Sequence, residues 1–180
     1  MKKGNPNDKE SVRRVLRGDL EEFSRLVGTH APRMLRLALG IVRRRDLAED
    51  VVQDALVKAY EKLGSWRGES SLSTWLYRIV YTTALSALRG GGRSFWEASP
   101  ELPDTAGEED DEWQVTEENI ARMRRALELL SPVDRTLVTL FYLEDRSVRE
   151  VAAICGESEG NVKTRLHRAR GRLRVLMVNC

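Results

Sequence analysis

Residues 147–170 read SVREVAAICGESEGNVKTRLHRAR, and this stretch decides the fold that we expect for the second half of the chain. Ser147 and Glu150 have the spacing of a capping box, and an apolar periodicity typical of a short helix follows them. Gly156 then marks a tight turn, after which a longer basic helix begins. A helix, a glycine turn and a second helix form a helix-turn-helix, whose second helix enters the major groove of DNA.

The second of these helices has one apolar stripe on an otherwise basic surface. The stripe recurs at helical spacing and consists of Val162, Leu166, Ala169 and Leu173. Residues 158–180 contain 6 basic residues and 1 acidic residue, which favours contacts with phosphate groups. The side chains best placed to touch base edges are Asn161, Lys163, Thr164, His167 and Arg168. The alternative is that the basic surface is only solvated.

The net charge of +2 over 180 residues conceals an uneven distribution of charge along the chain. Residues 1–90 hold 17 Lys and Arg against 11 Asp and Glu, residues 91–119 hold 1 against 10, and residues 120–180 hold 12 against 7. Two basic blocks on either side of an acidic one indicate nucleic-acid binding by the blocks. Glycines and prolines interrupt the acidic block, so we expect a flexible acidic linker over 91–117 and a second domain at 118–180.

The composition favours an all-α fold of two small helical domains, the first of them at 1–90. Apolar residues recur at three- and four-residue spacing, and no strand alternation stands out. Capping signals at Asp19 with Glu22, at Asp46 with Glu49 and at Ser131 before Pro132 mark helix starts. We expect helices at 9–17, 19–43 with a possible break at Pro32, 47–63, 71–89, 118–130, 132–143, 148–155 and 159–177.

Several classes of protein are excluded by what the sequence lacks. The most apolar stretch, residues 31–42, contains Arg33 and Arg36, so it does not have the length or the polarity of a membrane-spanning helix. The chain start shows no signal-peptide pattern, and we expect a cytoplasmic protein with reduced thiols at Cys155 and Cys180. The only two histidines lie in different blocks without a carboxylate cluster, which argues against an enzyme and against a metal or cofactor.

The helix predicted at 47–63 carries an acidic stripe in an otherwise basic block. Its members recur at i, i+3, i+4 and i+7, and they are Asp46, Glu49, Asp50 and Gln53. DNA repels such a stripe, so it favours docking onto a protein. An ordinary solvated helix face is the alternative.

The segment that follows interleaves aromatic and basic residues, a pattern that single-stranded DNA binding requires because bases stack on rings while cations follow the backbone. The aromatic candidates are Trp66, Tyr77 and Tyr81, and the basic ones are Arg67, Arg78 and Arg89. Core packing is the alternative, and it is the expected fate of Trp75, Leu76 and Ile79.

Three segments together resemble, in order and spacing, bacterial RNA polymerase sigma factors of the extracytoplasmic-function class. They are DLAEDVVQD at 46–54, STWLYRI at 73–79 and VKTRLHRAR at 162–170. The resemblance extends over about residues 10–90 and 118–178, which is nearly the whole chain outside the acidic block. It implies two helical domains, called sigma-2 and sigma-4, that direct core polymerase to promoters and initiate transcription.

The resemblance also implies a role for each group of residues. The acidic helix would dock onto the clamp helices of the largest polymerase subunit through Asp46, Glu49, Asp50 and Gln53. The loop and helix after it would recognise and melt the promoter −10 element through Trp66, Arg67, Ser71, Thr74, Trp75, Arg78 and Thr82. The second domain would contact the flap of the second-largest subunit and recognise the −35 element through Arg149, Asn161, Lys163, Thr164, Arg165, His167 and Arg168. An anti-sigma protein is a further implied partner.

A free-standing helix-turn-helix regulator is the alternative function. Such a protein would use residues 1–90 for dimerisation or ligand sensing, and it would bind a duplex site without help. That alternative leaves the acidic stripe and the aromatic loop without a role.

Overall fold

The computed structural model describes residues 6–90 and 117–179, and every regular element in these ranges is a helix, which confirms the all-α prediction. Nearly all of the predicted acidic linker, and Cys180, lie outside the described residues. A 3-10 turn at Leu63–Ser65 follows the third α-helix, and a π-helical turn at Thr139–Leu143 follows the sixth. The α-helices in the described ranges are α1 Pro6–Leu16, α2 Leu20–Val42, α3 Arg45–Lys62, α4 Leu72–Gly90, α5 Glu117–Leu129, α6 Pro132–Val138, α7 Val148–Cys155 and α8 Glu159–Asn179.

The first four helices form one bundle. Helices α2, α3 and α4 pack against one another, and α1 packs against α2 and the 3-10 turn. Burial of each large apolar side chain stabilises the bundle by about 1.5–3 kcal/mol, so the apolar stripe of each helix fixes its orientation. The centre of this core is formed by Met34, Ile41, Val51, Leu72 and Val80.

The second half of the chain is built around α8, which packs against α5, α6 and α7. All four residues of the predicted apolar stripe of α8 are buried, which confirms that prediction. Gly156 ends α7 with a φ of +73°, a left-handed conformation that glycine adopts without a steric penalty. Its N–H donates to the carbonyl oxygen of Ala152 at 2.8 Å, and the chain then turns into α8.

Three of the predicted helix starts are confirmed. The Asp19 side chain accepts from the N–H of Glu22, and Ser131 accepts from the N–H of Asp134 with Pro132 at the first helical position. Ser147 and Glu150 form the complete capping box that their spacing predicted.

The predicted cap at Asp46 is wrong. Helix α3 begins at Arg45, one residue before Asp46, and Arg44 occupies the N-cap position without a side-chain cap bond. The Asp46 carboxylate instead accepts from the guanidinium of Arg44 and lies in the first helical turn, where a negative charge is favourable.

The possible break at Pro32 does not occur, because α2 is continuous from Leu20 to Val42. A proline in a helix leaves the carbonyl four residues earlier without its usual N–H donor. Here that carbonyl belongs to Gly28, and both Gly28 and Pro32 are exposed, so water can replace the missing donor. Buried residues after the proline, Met34 and Leu37, hold the second part of α2 in the core.

The two halves are in direct contact in this structure. Helix α4 packs against α7, and α2 packs against α6. The surface of the first bundle formed by α2 and α4 therefore faces the helix-turn-helix half.

Replacing the capping serine of α7 tests the local account of the helix-turn-helix. We expect Ser147→Ala to lower the free energy of unfolding by about 1 kcal/mol, because the N–H of Glu150 loses its acceptor. Ser24→Ala, at an exposed position inside α2, is the matched control and should leave that free energy within about 0.5 kcal/mol. Urea unfolding followed by circular dichroism measures both variants, and an equal effect of the two would contradict the assignment.

Candidate nucleic-acid and partner interfaces

The predicted acidic stripe forms an exposed face along α3. Asp46, Glu49, Asp50 and Gln53 are all exposed, while Val51 and Ala55 on the opposite side enter the core. Glu49 pairs with Arg45 at 2.9 Å, so part of the negative charge is already compensated. The guanidinium of Arg44 lowers the pKa of the Asp46 carboxyl and keeps that group ionised.

The exposed face of α3 continues beyond the residues that the sequence singled out. Val57 is 59% exposed and Tyr60 is 44% exposed, and they follow Gln53 at i+4 and i+7 on the same face. The face is therefore acidic at its beginning and apolar at its end. The helical periodicity that located the acidic residues could have located these two as well.

The residues predicted to contact the −10 strand divide into exposed and buried groups. Arg67, Arg78 and Thr82 are exposed, and Trp75 is half-buried. Trp66 is 9% exposed, and its indole N–H has no hydrogen-bond acceptor within the described part of the chain.

Ser71 and Thr74 serve the start of α4 in this structure. The Ser71 hydroxyl accepts from the N–H of Thr74 at 3.2 Å, and the two side-chain oxygens lie 2.8 Å apart. Thr74 is 2% exposed. Both side chains are therefore engaged in shaping the loop-to-helix junction.

The two tyrosines of α4 are buried. Tyr77 is fully buried, and burial together with the nearby Glu144 carboxylate raises the pKa of its hydroxyl. Tyr81 is 4% exposed, and burial raises the pKa of its hydroxyl as well. Neither ring offers a free face on which a base can stack in this arrangement.

Helix α8 presents a continuous polar face to solvent. Ser158 caps the helix by accepting from the N–H of Asn161 at 3.1 Å. Arg149, on α7, is also exposed and lies on the first helix of the helix-turn-helix. The exposed side chains of α8 that were predicted to read DNA are Asn161, Lys163, Thr164, His167 and Arg168.

Arg165 differs from the other residues assigned to DNA, because its guanidinium is engaged inside the second domain. It donates to Asp134 at 3.0 and 2.8 Å and to Glu157 at 2.8 Å. Asp134 also accepts from Arg172 at 3.1 Å and from the Ser131 hydroxyl at 2.8 Å. This network ties α8 to the start of α6 and to the turn after α7, so Arg165 orients the helix that carries the exposed face.

The thiol of Cys155 lies between the two halves of the molecule. Burial raises its pKa to about 12, and the Tyr81 hydroxyl is its hydrogen-bonding neighbour. The part-buried thiol is protonated and packs as a small, weakly polar side chain. No group of His, Cys, Asp or Glu side chains within 6–90 and 117–179 could hold a metal ion. The helices described for this chain include none that is both long and apolar enough to cross a bilayer.

The contrast between Arg165 and Arg168 gives a direct test of these roles. Arg165→Gln should lower the free energy of unfolding by about 1.5–3 kcal/mol, because Asp134 and Glu157 lose a charged donor. Arg168→Gln should leave that free energy within about 0.5 kcal/mol and weaken binding to duplex DNA. Urea unfolding and fluorescence anisotropy with labelled DNA measure the two effects, and a destabilised Arg168→Gln beside a stable Arg165→Gln would reverse the assignment.

Comparison with known proteins identifies both halves of the chain. The model for sigma-70 region 2 matches residues 26–94, and the model for sigma-70 region 4 matches residues 120–173. The chain is 33% identical to the RNA polymerase sigma-H factor of Pseudomonas aeruginosa, with 91% of this chain and 90% of that protein covered. It is 34% identical to the ECF RNA polymerase sigma-E factor of Escherichia coli K12, with the same shares covered, 91% and 90%.

A solved structure supports the same assignment. The sigma factor RpoE, in its complex with the anti-sigma factor NepR from Bartonella quintana, is similar with a TM-score of 0.66 and 29% identity. The match covers 87% of this chain and 96% of that one. Family models over both domains, relatives over nine-tenths of the chain and a common architecture agree, and the chain belongs to the extracytoplasmic-function class of RNA polymerase sigma factors.

Proposed function

We propose that this sigma factor docks onto core RNA polymerase through α3 and recognises two promoter elements with its two domains. The observation that carries the proposal is that one chain exposes both an acidic face on α3 and a basic helix-turn-helix face on α8. DNA attracts the second face and repels the first, so the first face suits a protein partner rather than DNA. A free-standing regulator, which would use residues 1–90 for dimerisation or ligand sensing, is not favoured.

Polymerase docking is assigned to α3. Its acidic residues would contact the clamp helices of the largest subunit, and the exposed Val57 and Tyr60 would add apolar contact area at the end of the same face. The second domain would contact the flap of the second-largest subunit. We propose that residues 1–90 and 118–180 are the two functional domains. The acidic segment 91–117 would connect them, and its carboxylates would mimic the negative charge of nucleic acid.

Promoter recognition is divided between α4 and α8. The exposed polar residues of α8, with Arg149 on α7, would recognise the −35 element in the major groove. The loop before α4 and the exposed face of α4 would recognise and open the −10 element. Melting costs about 1.4 kcal/mol per stacked base step, which a small helical domain recovers only with flipped bases and polymerase contacts. The factor should therefore bind promoters poorly alone and well as holoenzyme.

Regulation by an anti-sigma protein follows from the same exposed faces. The similar RpoE structure contains the anti-sigma factor NepR. We propose that an anti-sigma protein covers the α3 face of this chain and blocks polymerase docking. The factor would act in the cytoplasm, where polymerase and promoter DNA are, and it would contribute no catalysis of its own.

Reconstitution with bacterial core polymerase tests the function. A library of randomised promoters should yield transcripts from a subset with two common sequence elements when the chain and core polymerase are combined. Core polymerase alone is the control. Transcripts without common elements, or no gain over core polymerase alone, would overturn the proposal.

The docking face can be tested by charge reversal. Asp50→Lys places a cation in the centre of the acidic face, and we expect the affinity for core polymerase to fall about tenfold, which corresponds to about 1.4 kcal/mol. Glu21→Lys makes the same change at an exposed position of α2 and should alter the affinity less than twofold. Competition for limiting core polymerase measures both variants, and equal losses would show that α3 is not the docking face.

A further inference from the structure

Helix α8 carries a pair of cations on each of its two flanks, and the exposed face with His167 lies between the flanks. Lys163 and Arg170 are seven residues apart, and Arg165 and Arg172 have the same separation. Seven residues make about two helical turns, so the members of each pair lie on one line along the axis. The two pairs are offset by two residues, or about 200°, which places them on opposite sides of the helix.

The flank with Lys163 and Arg170 is open. Both side chains are exposed, and neither forms an ion pair with any residue that the structure describes. DNA can therefore reach both cations without displacing a carboxylate.

The opposite flank is neutralised from within the second domain. Asp134 of α6 is 7% exposed, and its carboxylate accepts from Arg165 at 3.0 and 2.8 Å and from Arg172 at 3.1 Å. Glu157, in the turn before α8, also accepts from Arg165, at 2.8 Å. Two guanidinium groups and two carboxylates leave this flank without net charge.

The Asp134 carboxylate is fixed in its position. It accepts from the Ser131 hydroxyl at 2.8 Å in addition to the two arginines, and the N–H of Asp134 donates to the same hydroxyl at 3.1 Å. Helix α6, which carries Asp134, packs directly against α8. A buried carboxylate with charged donors binds them more strongly than an exposed one does, because water and salt screen the charges less.

The flanks of a helix in the major groove face the phosphate groups at the sides of that groove. The groove is about 12 Å wide and a helix with its side chains is about 10–12 Å across, so cations on both flanks come within reach of phosphates. A guanidinium binds phosphate and carboxylate with the same N–H donors. On one flank of α8, Asp134 therefore occupies donors that a phosphate would otherwise bind.

We infer that Asp134 is a specificity-determining residue, which withholds Arg172 and part of the Arg165 guanidinium from DNA phosphates. The inference rests on the proposed role of α8 in promoter recognition. On non-specific DNA, α8 can slide until its flank cations meet phosphates, whereas base contacts hold it in one register at its own site. A withheld cation therefore reduces non-specific affinity more than specific affinity. Selectivity depends on that ratio, because non-specific sites are in great excess in a genome.

The salt dependence of DNA binding tests the inference, because its slope counts the phosphate contacts. Fluorescence anisotropy measures binding of the full chain to a labelled duplex of random sequence over a series of salt concentrations. Asp134→Asn retains the size of the side chain and removes its charge. We expect the slope of log K against log salt to become steeper by about 0.9, which is one phosphate contact for Arg172. The affinity at about 0.15 M salt should rise about fivefold.

Asp145→Asn is the matched control for Asp134→Asn. It removes the same charge from an exposed position of the second domain and retains a residue that tolerates the local positive φ. Its slope should equal that of the unmodified chain. An unchanged slope in a folded Asp134→Asn chain would show that Asp134 only holds α6 to α8, and it would overturn the inference. Equal steepening in both variants would be an effect of net charge and would overturn it as well.

Two arginine variants compare the flanks while both carboxylates stay in place. Arg170→Gln removes an open cation and should make the slope shallower by about 0.9, whereas Arg172→Gln removes a withheld cation and should leave the slope unchanged. Each variant removes one positive charge from the same helix. Equal slopes for these two variants would overturn the difference between the flanks, and this comparison does not require Asp134→Asn to fold.

A double variant connects the two results. When Arg172→Gln is added to Asp134→Asn, the slope should return to that of the unmodified chain, because the released cation is absent. A slope as steep as that of Asp134→Asn alone would overturn the role of Arg172. If the unmodified chain binds no duplex at any salt concentration, the proposed role of α8 falls together with the inference. Salt-dependent binding with equal slopes in all variants would overturn the inference alone.

Discussion

The buried guanidinium of Arg135 is the interaction on which the arrangement of the molecule depends. A positive charge that is 7% exposed is costly unless it is fully hydrogen-bonded, and its acceptors are carbonyl oxygens at the end of α2 in the other domain. Within the contact, the carbonyl oxygens at the end of α2 accept the hydrogen bonds that water would otherwise accept from this guanidinium. Together with the packing of α4 against α7 and the apolar core that the two halves share, this hydrogen bonding holds α6 against the end of α2 in this structure.

Charge and burial distinguish the three surfaces to which functions are assigned. The α3 face carries negative charge and ends in exposed apolar residues, which suits a protein partner. The α8 face carries polar and basic groups that suit the major groove. The α4 face lies between them and is partly covered by α7.

Local chemistry in the sequence predicted most of the helices and their starts. Caps at Asp19, Ser131 and Ser147 depend on neighbours within three residues, so their spacing alone was sufficient. The prediction at Asp46 failed because Arg44, two residues earlier, competes for the carboxylate. The break at Pro32 failed to occur because tertiary packing holds α2 together on both sides of the proline.

The sequence predicted the candidate site less completely than the helices, because the site depends on contacts between residues that are far apart in the chain. Arg165 belongs to a basic helix by composition, yet its partner Asp134 lies 31 residues earlier and turns it inward. The Tyr77 hydroxyl donates to Glu144, which is 67 residues away, and no local sequence pattern predicts such a contact. The exposed faces of α3 and α8 were predicted because helical periodicity alone determines them.

Strand opening at the −10 element is the most direct test of the account as a whole. Permanganate reactivity of thymines in a selected promoter can be measured with the chain alone, with core polymerase alone and with both together. The account predicts reactive thymines around −10 only in the combined sample, because melting needs both the α4 surface and the polymerase contacts. Reactivity or sequence-specific duplex protection by the chain alone would contradict it, as would a combined sample without reactive thymines.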